Sequence, residues 1–443
     1  MLSLVQRSAP WREPTAALAP FADEPWAALL LSDGARGRWS YLVRDPAATL
    51  AVAPDDRRDP FQALKQLLES SPQDQPDGPP FKGGVVGLAA YELAARFEAL
   101  DLAQAGWPQL LAARYEALLA FDHLQREIVA IGRGPDRPSA QARADQALTW
   151  LEASPRPASS QRLAKAFEPP EDRPYEAAVA EVVSRICAGE IFQANIARAW
   201  TGRLADGVQP FDVFSRLASQ SPAPFATYLR APGLALVSNS PERFLAVSSG
   251  QVTTQPIKGT RPRGDTVAED LRLAEELRTS QKDRAENLMI VDLMRNDLAR
   301  CCAPGSVAVP TLWSLESYAN VHHLVSTVTG TLADGADALD MLAAAFPPGS
   351  ITGAPKVQAM KVIAGLEAPR GPYCGSLFWA GFDGDLDSSV LIRTIACAQD
   401  SDGWSVEARA GAGIVADSDP AAERMETQAK IAAIARALTE LPE

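Results

Sequence analysis

Short apolar segments alternate with amphipathic helical segments along this chain, and the alternation limits the folds that it can adopt. In residues 175–189 the apolar positions recur every three or four residues, the spacing that places them on one face of a helix. Residues 191–200 follow with the pattern of a strand, which puts Gln193 and Asn195 on the same face. Interleaved helices and strands predict an α/β or α+β fold with two sheets.

Similar patterns predict further elements. Strands are expected at 26–31, 39–43, 85–90, 225–229, 235–238 and 390–395, and a hairpin at 244–248 with 251–257. Helices are expected at 140–152, from about 267 to 298, at 357–363 and from about 419 to 438. The last helix has aspartate as its N-cap and proline at its first helical position.

Composition narrows the class of protein. The chain has 443 residues, of which 47% are hydrophobic and 22% charged, as in globular proteins. Its net charge of −13, with no basic block, argues against nucleic acid as a partner. No apolar run reaches the roughly 20 residues of a membrane span, and no secretory signal is visible. Five cysteines without a CxxC pair indicate reduced thiols, so we expect a cytoplasmic enzyme.

Proline-rich stretches suggest the domain organisation. Residues 71–80 are typical of an exposed loop, and residues 132–174 are rich in proline around one short helix. We therefore expect an N-terminal region over 1–150, a connector over 151–174 and a catalytic domain over 175–443.

Two polar side chains stand where chemistry is plausible. Lys258 occurs where an apolar strand ends at a glycine, and burial there would free its amine to act as a base or nucleophile. Glu242 follows a strand and suits general acid catalysis if its surroundings are apolar. The alternatives are a surface lysine at a hairpin end and a surface ion pair between Glu242 and Arg243.

Carboxylates form two pairs with helical spacing. Asp283 and Glu286 share one face of a predicted helix, and Glu423 and Glu426 repeat the spacing with Lys430 one turn later. Oxygen donors without a Cys or His cluster suit Mg²⁺. The alternative is two solvated helix faces, and spacing alone does not bring the pairs together.

Other residues point to an anion. Arg393 interrupts the apolar strand predicted at 390–395, so its guanidinium needs a carboxylate, which either the protein or a substrate could supply. The glycine-containing segment 349–356 precedes a helix, whose N-terminus favours anions. His322 and His323 adjoin and face opposite ways on a strand. Together these residues predict an anionic small-molecule site with Mg²⁺, but they do not identify the substrate.

Beyond residue chemistry, the order of the motifs resembles the chorismate-utilising enzymes, a family that includes anthranilate, aminodeoxychorismate, isochorismate and salicylate synthases. The resemblance covers nearly all of the chain from residue 175 and is weaker before it. The motifs are SNSPERFL (238–245), PIKGTRPRG (256–264), AENLMIVDLMRNDL (285–298), HHLVSTVTG (322–330), PPGSITGAPKVQAM (347–360), PYCGSLFWAG (372–381) and AGAGIVADSDPAAERMETQAK (410–430).

This resemblance implies a fold like that of anthranilate synthase component I, with two large, mainly antiparallel sheets packed as a sandwich and helices outside. Position 258 carries lysine, whereas anthranilate synthases typically carry alanine there. In this respect the chain resembles aminodeoxychorismate synthase component I. It implies that Lys258 attacks C2 of chorismate while Glu242 protonates the leaving C4 hydroxyl, and that ammonia then adds at C4. His323 would line the ring.

The resemblance also implies the remaining roles. Glu286 and Glu426 would bind Mg²⁺ directly, and Glu423 and Asp283 would act through water. Residues expected to contact the substrate are Gln193, Thr260, Thr352, Tyr373, Arg393, Gly411, Gly413 and Lys430.

Ammonia is expected from a glutamine amidotransferase subunit, because no glutaminase-like Cys/His/Glu arrangement is apparent in the chain. Leu31 and Ser32 lie where family members carry a tryptophan pocket, and whether tryptophan binds here stays open. Two alternatives are an anthranilate synthase component I and a non-catalytic relative that binds chorismate or tryptophan.

Overall fold

The computed structural model describes residues 2–35, 37–69, 78–154, 156–157, 159–317 and 321–441. Most of the loop expected at 71–80 therefore lies outside the described residues. The strands are Ser3–Pro10 (β1), Ala28–Leu31 (β2), Trp39–Val43 (β3), Ala48–Val52 (β4), Gly84–Ala89 (β5), Leu110–Tyr115 (β6), Ala117–Asp122 (β7), Glu127–Gly134 (β8), Ala164–Glu168 (β9), Gln193–Leu204 (β10), Phe225–Ala231 (β11), Leu234–Ser240 (β12), Arg243–Ser248 (β13), Gln251–Thr254 (β14), Ile257–Pro262 (β15), Ala308–Ser317 (β16), Val321–Thr331 (β17), Gly353–Ala354 (β18), Ser376–Gly381 (β19), Leu386–Val390 (β20), Thr394–Asp400 (β21) and Gly403–Ile414 (β22).

The α-helices flank these strands. They are Pro14–Leu18 (α1), Pro60–Leu68 (α2), Arg137–Thr149 (α3), Asp172–Cys187 (α4), Pro210–Gln220 (α5), Val267–Thr279 (α6), Gln281–Ala299 (α7), Ala338–Ala345 (α8), Lys356–Leu366 (α9) and Pro420–Thr439 (α10).

Two antiparallel sheets form the framework. The larger sheet runs β1-β8-β7-β3-β2-β11-β12-β21-β22-β10-β18, with β9 also paired to β10. The smaller sheet runs β15-β17-β14-β13-β20-β19-β5-β6-β4, with β16 also paired to β17. Each sheet joins strands from both ends of the chain, since β2 pairs with β11 and β5 pairs with β19.

The core consists of three main layers. Between the sheets, apolar residues of β2, β3 and β12 meet those of β5, β6 and β19. On the outer face of the larger sheet, apolar residues pack against α1, α5 and α10, and the outer face of the smaller sheet packs against α2, α7 and α8. Burial of both faces of both sheets follows from their apolar strands. The expected sandwich with helices outside is confirmed.

Two sequence expectations about elements outside the neighbourhood of Lys258 are wrong. The helix expected from about 267 to 298 is two helices, because Ser280 has extended backbone angles and its hydroxyl caps α7 by accepting the Asp283 N–H at 3.2 Å. The strand expected at 390–395 is interrupted: β20 ends at Val390, and Arg393 has a left-handed φ of 50° before β21 begins.

Candidate active site

One face of the β10–β22 ladder carries two amide side chains beside two glycines. Asn195 pairs with Gly413 and Ala197 with Gly411, so paired positions share a face, and the glycines let neighbouring side chains approach the backbone closely. Gln193 is fully buried and Asn195 is 7% exposed. Both amide atoms of Gln193 and the Nδ2 of Asn195 have no hydrogen-bond partner within the described residues. Since an unpaired buried polar atom costs about 1–3 kcal/mol, these atoms indicate a ligand site.

Lys258 reaches this face from β15. A Cβ placed on Gly413 would lie 3.1 Å from Nζ of Lys258 and 3.2 Å from Nε2 of Gln193. Burial lowers the pKa of Lys258 and the Lys430 ammonium lowers it further, although nearby carboxylates act in the opposite direction. A neutral amine is therefore more accessible here than on a surface lysine, and a neutral amine is a nucleophile.

The local backbone differs from the sequence expectation around Lys258. A strand was expected to run to 257 and end at the lysine, but β14 ends at Thr254 and Lys258 is the second residue of β15. The pairing of β15 with β17 shifts between Ile257 and Thr260. Gly259, at this irregularity, has a φ of 85°, and a Cβ there would lie 2.9 Å from Asp283 Cβ. The turn therefore requires glycine.

Glu242 lies between β12 and β13 and is 7% exposed. Burial raises the pKa of its carboxyl, while a hydrogen bond with the Ser350 side chain and nearby cations reduce that rise. Arg243 does not pair with it, since its guanidinium binds Asp387 at 2.9 Å. The surface ion pair considered from sequence is thus wrong. A buried carboxyl that holds its proton to higher pH suits a general acid.

The two adjacent histidines face opposite ways on β17. His323 is 5% exposed, and its Nδ1 lies 2.9 Å from Oγ1 of Thr260. His322 binds Ser317 at 2.8 Å and Asp270 at 2.9 Å instead. The His323 side chain therefore contacts β15, the strand that carries Lys258, whereas the His322 side chain contacts Ser317 and α6.

Polar groups converge on Gly411. Lys430 donates from Nζ to the carbonyl oxygen of Gly411 at 2.9 Å and lies 2.6 Å from Oε1 of Glu426. A Cβ on Gly411 would lie 2.9 Å from the Tyr373 hydroxyl and 3.0 Å from Nδ2 of Asn195. An ammonium, a phenol and an amide thus surround one glycine, an arrangement suited to an anion.

Arg393 and Thr352 occupy the edges of this region. Arg393 is half-buried, and its charge offsets part of the rise that burial causes in the pKa of Glu242, so it acts on the same site. Thr352 is fully buried, and its hydroxyl donates to the Gly349 carbonyl at 3.1 Å. The Thr352 carbonyl accepts the Asn195 N–H at 2.8 Å. Thr352 thus ties the glycine-containing loop to β10.

The four carboxylates expected to bind metal differ in their surroundings. Burial raises the pKa of Glu286, and the like charges of Asp283 and Glu426 contribute to the rise. Burial also acts to raise the pKa of Glu426, but the adjacent lysines outweigh it and lower that pKa. Asp283 binds Arg261 at 3.1 Å, and Glu423 accepts a hydrogen bond from Ser418 at 2.7 Å.

These carboxylates suit Mg²⁺ better than a metal held entirely by protein. In the part of the chain that the structure describes, no three His, Cys, Asp or Glu side chains form a closed metal site. Mg²⁺ commonly takes one or two carboxylates and completes its shell with water and substrate oxygens. The mutual repulsion of Glu286 and Glu426 is what a divalent cation would relieve. The residues present therefore fit Mg²⁺.

A buried network that the sequence analysis missed supports the site. The Arg370 guanidinium donates to the Asn195 carbonyl at 2.6 Å and to Glu367 at 2.9 Å. Glu92, from the N-terminal part of the chain, accepts the Arg370 and Gly371 N–H groups at 2.6 and 3.0 Å. No sequence spacing links these positions. The sequence analysis placed Asn195 on the same strand face as Gln193 but gave a substrate role only to Gln193. The alternation of polar and apolar residues in this strand could have drawn attention to both.

Leu31 and Ser32 lie away from the Lys258 site, at the end of β2. They line a cavity of about 320 Å³ between the sheets, together with Pro241, Arg243 and Ile257. Those three residues adjoin Glu242 and Lys258 in sequence. The Ser32 hydroxyl donates to the Gly37 carbonyl at 2.6 Å, which fixes the turn that follows β2.

The remaining general features agree with composition. Within the described residues, no helix is both long and apolar enough to cross a membrane. Each of the five cysteines is unpaired.

Known proteins are similar to this chain in sequence and in fold. Residues 27–436 match the chorismate binding enzyme family. Aminodeoxychorismate synthase component 1 of Salmonella typhimurium is 39% identical over 95% of this chain and 95% of its own length. Anthranilate synthase component 1 of Thermus thermophilus is also 39% identical, over 91% of this chain and 88% of its own.

A solved structure supports the same relationship. Anthranilate synthase component I from Streptococcus pneumoniae superposes with a TM-score of 0.80 at 28% identity, over 90% of this chain and 93% of that one. The fold is therefore like that of anthranilate synthase component I, as expected. The chain belongs to the chorismate binding enzyme family.

Proposed function

We propose that this chain aminates chorismate at C4 to give 4-amino-4-deoxychorismate, the precursor of p-aminobenzoate in folate synthesis. The observation that carries the proposal is the position of half-buried Lys258, whose Nζ faces Gly413 beside the fully buried Gln193 amide. Relatives named aminodeoxychorismate synthase component 1, at 37–39% identity over nearly the whole chain, support it.

The proposed reaction proceeds by two substitutions. Neutral Lys258 forms a bond to C2 of the ring, the two conjugated ring double bonds shift toward C4, and the C4–O bond breaks. Glu242 gives its proton to the departing hydroxyl, which leaves as water. Ammonia then bonds to C4, both double bonds shift back, and the C2–N bond breaks to release neutral Lys258, while the extra proton of the new amine returns to the Glu242 carboxylate. The covalent intermediate explains amination at C4 rather than at C2.

Acidic residues prepare the site for a cation. We propose that Glu286 and Glu426 hold Mg²⁺ directly and that Glu423 and Asp283 act through water. Bound there, Mg²⁺ would neutralise the ring carboxylate of chorismate and fix its position.

Cationic and neutral donors would hold the rest of the substrate. Lys430 and the Tyr373 hydroxyl lie at Gly411, and the charge of Arg393 acts on nearby Glu242; these three groups would take a carboxylate. His323 would line the ring. Gln193 is not basic, so from its position it would not activate water as a competing nucleophile. The further proposed contacts are Thr260, Thr352 and the N–H groups of Gly411 and Gly413.

Ammonia is proposed to come from a glutamine amidotransferase subunit. The designation of the relatives as component 1 implies a partner component. The free cysteine thiols of this chain support the proposal that it works with its partner subunit in the reducing cytoplasm. With the purified chain alone, ammonium salts should support turnover and glutamine should not.

Product analysis tests the proposal. The chain is incubated with chorismate, Mg²⁺ and ammonium, with or without a lyase that converts 4-amino-4-deoxychorismate to p-aminobenzoate. We expect p-aminobenzoate only with the lyase, and we expect Lys258→Ala to abolish it. The matched control Lys361→Ala, at an exposed position of α9, should behave as wild type.

The equal identity to an anthranilate synthase makes that activity the second candidate. It predicts anthranilate fluorescence without any lyase, and this result would replace the proposal. Chorismate binding without turnover at any ammonium concentration would instead identify a non-catalytic relative.

We also propose that the cavity beside Leu31 and Ser32 is where tryptophan would bind. Its support is its volume and its position behind the residues flanking Glu242 and Lys258. Millimolar L-tryptophan should raise the unfolding temperature and slow turnover, with D-tryptophan as the control. Equal effects of the two enantiomers, or no effect of either, would reject this site.

A further inference from the structure

Asn195 carries an amide nitrogen that no described residue satisfies. The side chain is 7% exposed, and its Nδ2 is fully buried without a hydrogen-bond partner. Buried amides normally find partners, because an unpaired donor costs about 1–3 kcal/mol. This donor is therefore available to a bound molecule.

The backbone of Asn195 is held on both sides. Its N–H donates to the Thr352 carbonyl at 2.8 Å, and its carbonyl accepts from Arg370 at 2.6 Å. Its Cα also pairs with Gly413 in the β10–β22 ladder. With the main chain fixed in this way, the side chain has a defined direction.

That direction is toward Gly411. A Cβ on Gly411 would lie 3.0 Å from Nδ2 of Asn195 and 2.9 Å from the Tyr373 hydroxyl, so both atoms face the same small space. Lys430 approaches Gly411 as well, donating to its carbonyl at 2.9 Å. Two donor side chains that converge beside Gly411, with the Lys430 ammonium on its carbonyl, suit a carboxylate better than a hydroxyl or an ether oxygen.

We infer that Asn195 is a substrate-binding residue whose Nδ2 donates to the same chorismate carboxylate as the Tyr373 hydroxyl. The inference deepens the proposed function and rests on chorismate being the substrate. A neutral amide adds a directed hydrogen bond without adding charge to a region that already contains Lys430 and Arg393.

Equilibrium binding of chorismate with Mg²⁺ tests the inference, using the full chain with Lys258→Ala so that the ligand is bound but not consumed. Adding Asn195→Leu should weaken binding about 10- to 100-fold, the range for a hydrogen bond to a charged group. Asn195→Asp should weaken it more, since its charge repels the carboxylate. In the otherwise wild-type chain, Asn195→Leu should raise KM by a similar factor.

Stability separates this role from a structural one. Asn195→Leu removes an unpaired donor, so its unfolding temperature should equal or exceed that of wild type. The matched variant Asn287→Leu should lower it, because the fully buried Asn287 binds the Leu324 carbonyl and the Ser326 hydroxyl. A marked loss of stability in Asn195→Leu would assign it a structural role and overturn the inference.

A double-mutant cycle tests the shared carboxylate. If Asn195 and Tyr373 bind one group, the effects of Asn195→Leu and Tyr373→Phe on affinity should not multiply. Strictly multiplicative effects, or unchanged affinity in Asn195→Leu, would overturn the inference. Affinity is measured without ammonia, so these outcomes are independent of which ring carbon the wild-type chain aminates, which product analysis decides.

Discussion

Lys258 and Glu242 are ionisable groups whose pKa values burial shifts in opposite directions. Burial is the largest influence on both: it lowers the pKa of the lysine and raises that of the glutamate. Each shift favours the neutral form, because a charge is poorly solvated away from water. A neutral amine and a protonated carboxyl are the two forms that the proposed first substitution needs.

Replacing the proposed acid tests its role. In Glu242→Gln the side chain keeps its size but cannot give a proton, so kcat should fall about 100- to 10,000-fold. Steady-state rates of 4-amino-4-deoxychorismate formation measure the change. The control Glu275→Gln, on the exposed surface of α6, should leave kcat unaltered. A Glu242→Gln enzyme with wild-type kcat would remove the glutamate from the mechanism.

The pH dependence should show both groups. Wild-type kcat/KM should pass through a maximum, because the reaction needs the lysine deprotonated and the glutamate protonated. In Glu242→Gln only the lysine requirement remains, so the residual rate should rise with pH and level off above the pKa of Lys258. Because burial lowers that pKa, levelling should occur below the range of an exposed lysine. A residual rate that falls with rising pH would contradict the nucleophilic role.

At the scale of elements, a buried ion pair joins α7, which carries Glu286, to α9. Lys356 donates from Nζ to Asp297 at 2.6 Å and to the Ala345 carbonyl at 2.8 Å. The side chains of Lys356 and Asp297 are 7% and 3% exposed. The pair fixes the start of α9, and with it the glycine-containing loop, against α7.

Removing one partner should destabilise the fold. Lys356→Met leaves the Asp297 carboxylate buried and unpaired, so the free energy of unfolding should fall by about 3–5 kcal/mol. Denaturant unfolding measures the loss. Adding Asp297→Leu removes the unpaired charge and should restore most of the lost free energy of unfolding. A double variant less stable than Lys356→Met would show that the pair does not act as argued.

Elements with strong local signals were predicted best. The amphipathic pattern placed α4, and Asp419 with Pro420 marked the start of α10, where the Asp419 side chain accepts the Ala422 N–H at 2.9 Å. The break at Ser280 and the left-handed backbone of Arg393 were missed. The break at Ser280 has a local signal, a serine N-cap three residues before Asp283, but helical periodicity alone does not register it.

The site was predictable in its residue types but not in its geometry. Spacing placed Glu423, Glu426 and Lys430 on one helix face, yet nothing in the sequence brings α10 toward α7 or Lys258. The resemblance to a family supplied those roles as expectations. The contacts of Glu92 and Arg370 join residues 278 positions apart, and only the fold reveals them.

The whole molecule is built from shared sheets. Strand β2 pairs with β11, and β5 pairs with β19, so residues before and after the proline-rich segment complete the same ladders. Between the sheets, their side chains also form one apolar layer. The residues before the proline-rich segment and those after it therefore cannot retain this apolar layer without each other.

Shared ladders predict cooperative unfolding of the whole chain. Thermal unfolding followed by far-UV circular dichroism and by tryptophan fluorescence should give coincident transitions. Chorismate with Mg²⁺ should move both curves upward together, since binding stabilises the state that contains the site. Two separated transitions would show that the two parts fold as independent units.

The central claim is that nitrogen of the protein bonds to the substrate before ammonia does. Intact-mass and peptide mass spectrometry of the chain with chorismate and Mg²⁺, but without ammonia, tests it most directly. We predict an added mass equal to chorismate less one water, located on the peptide containing Lys258 and missing from Lys258→Ala. Normal C4 amination by Lys258→Ala, or an adduct confined to another residue, would contradict the account.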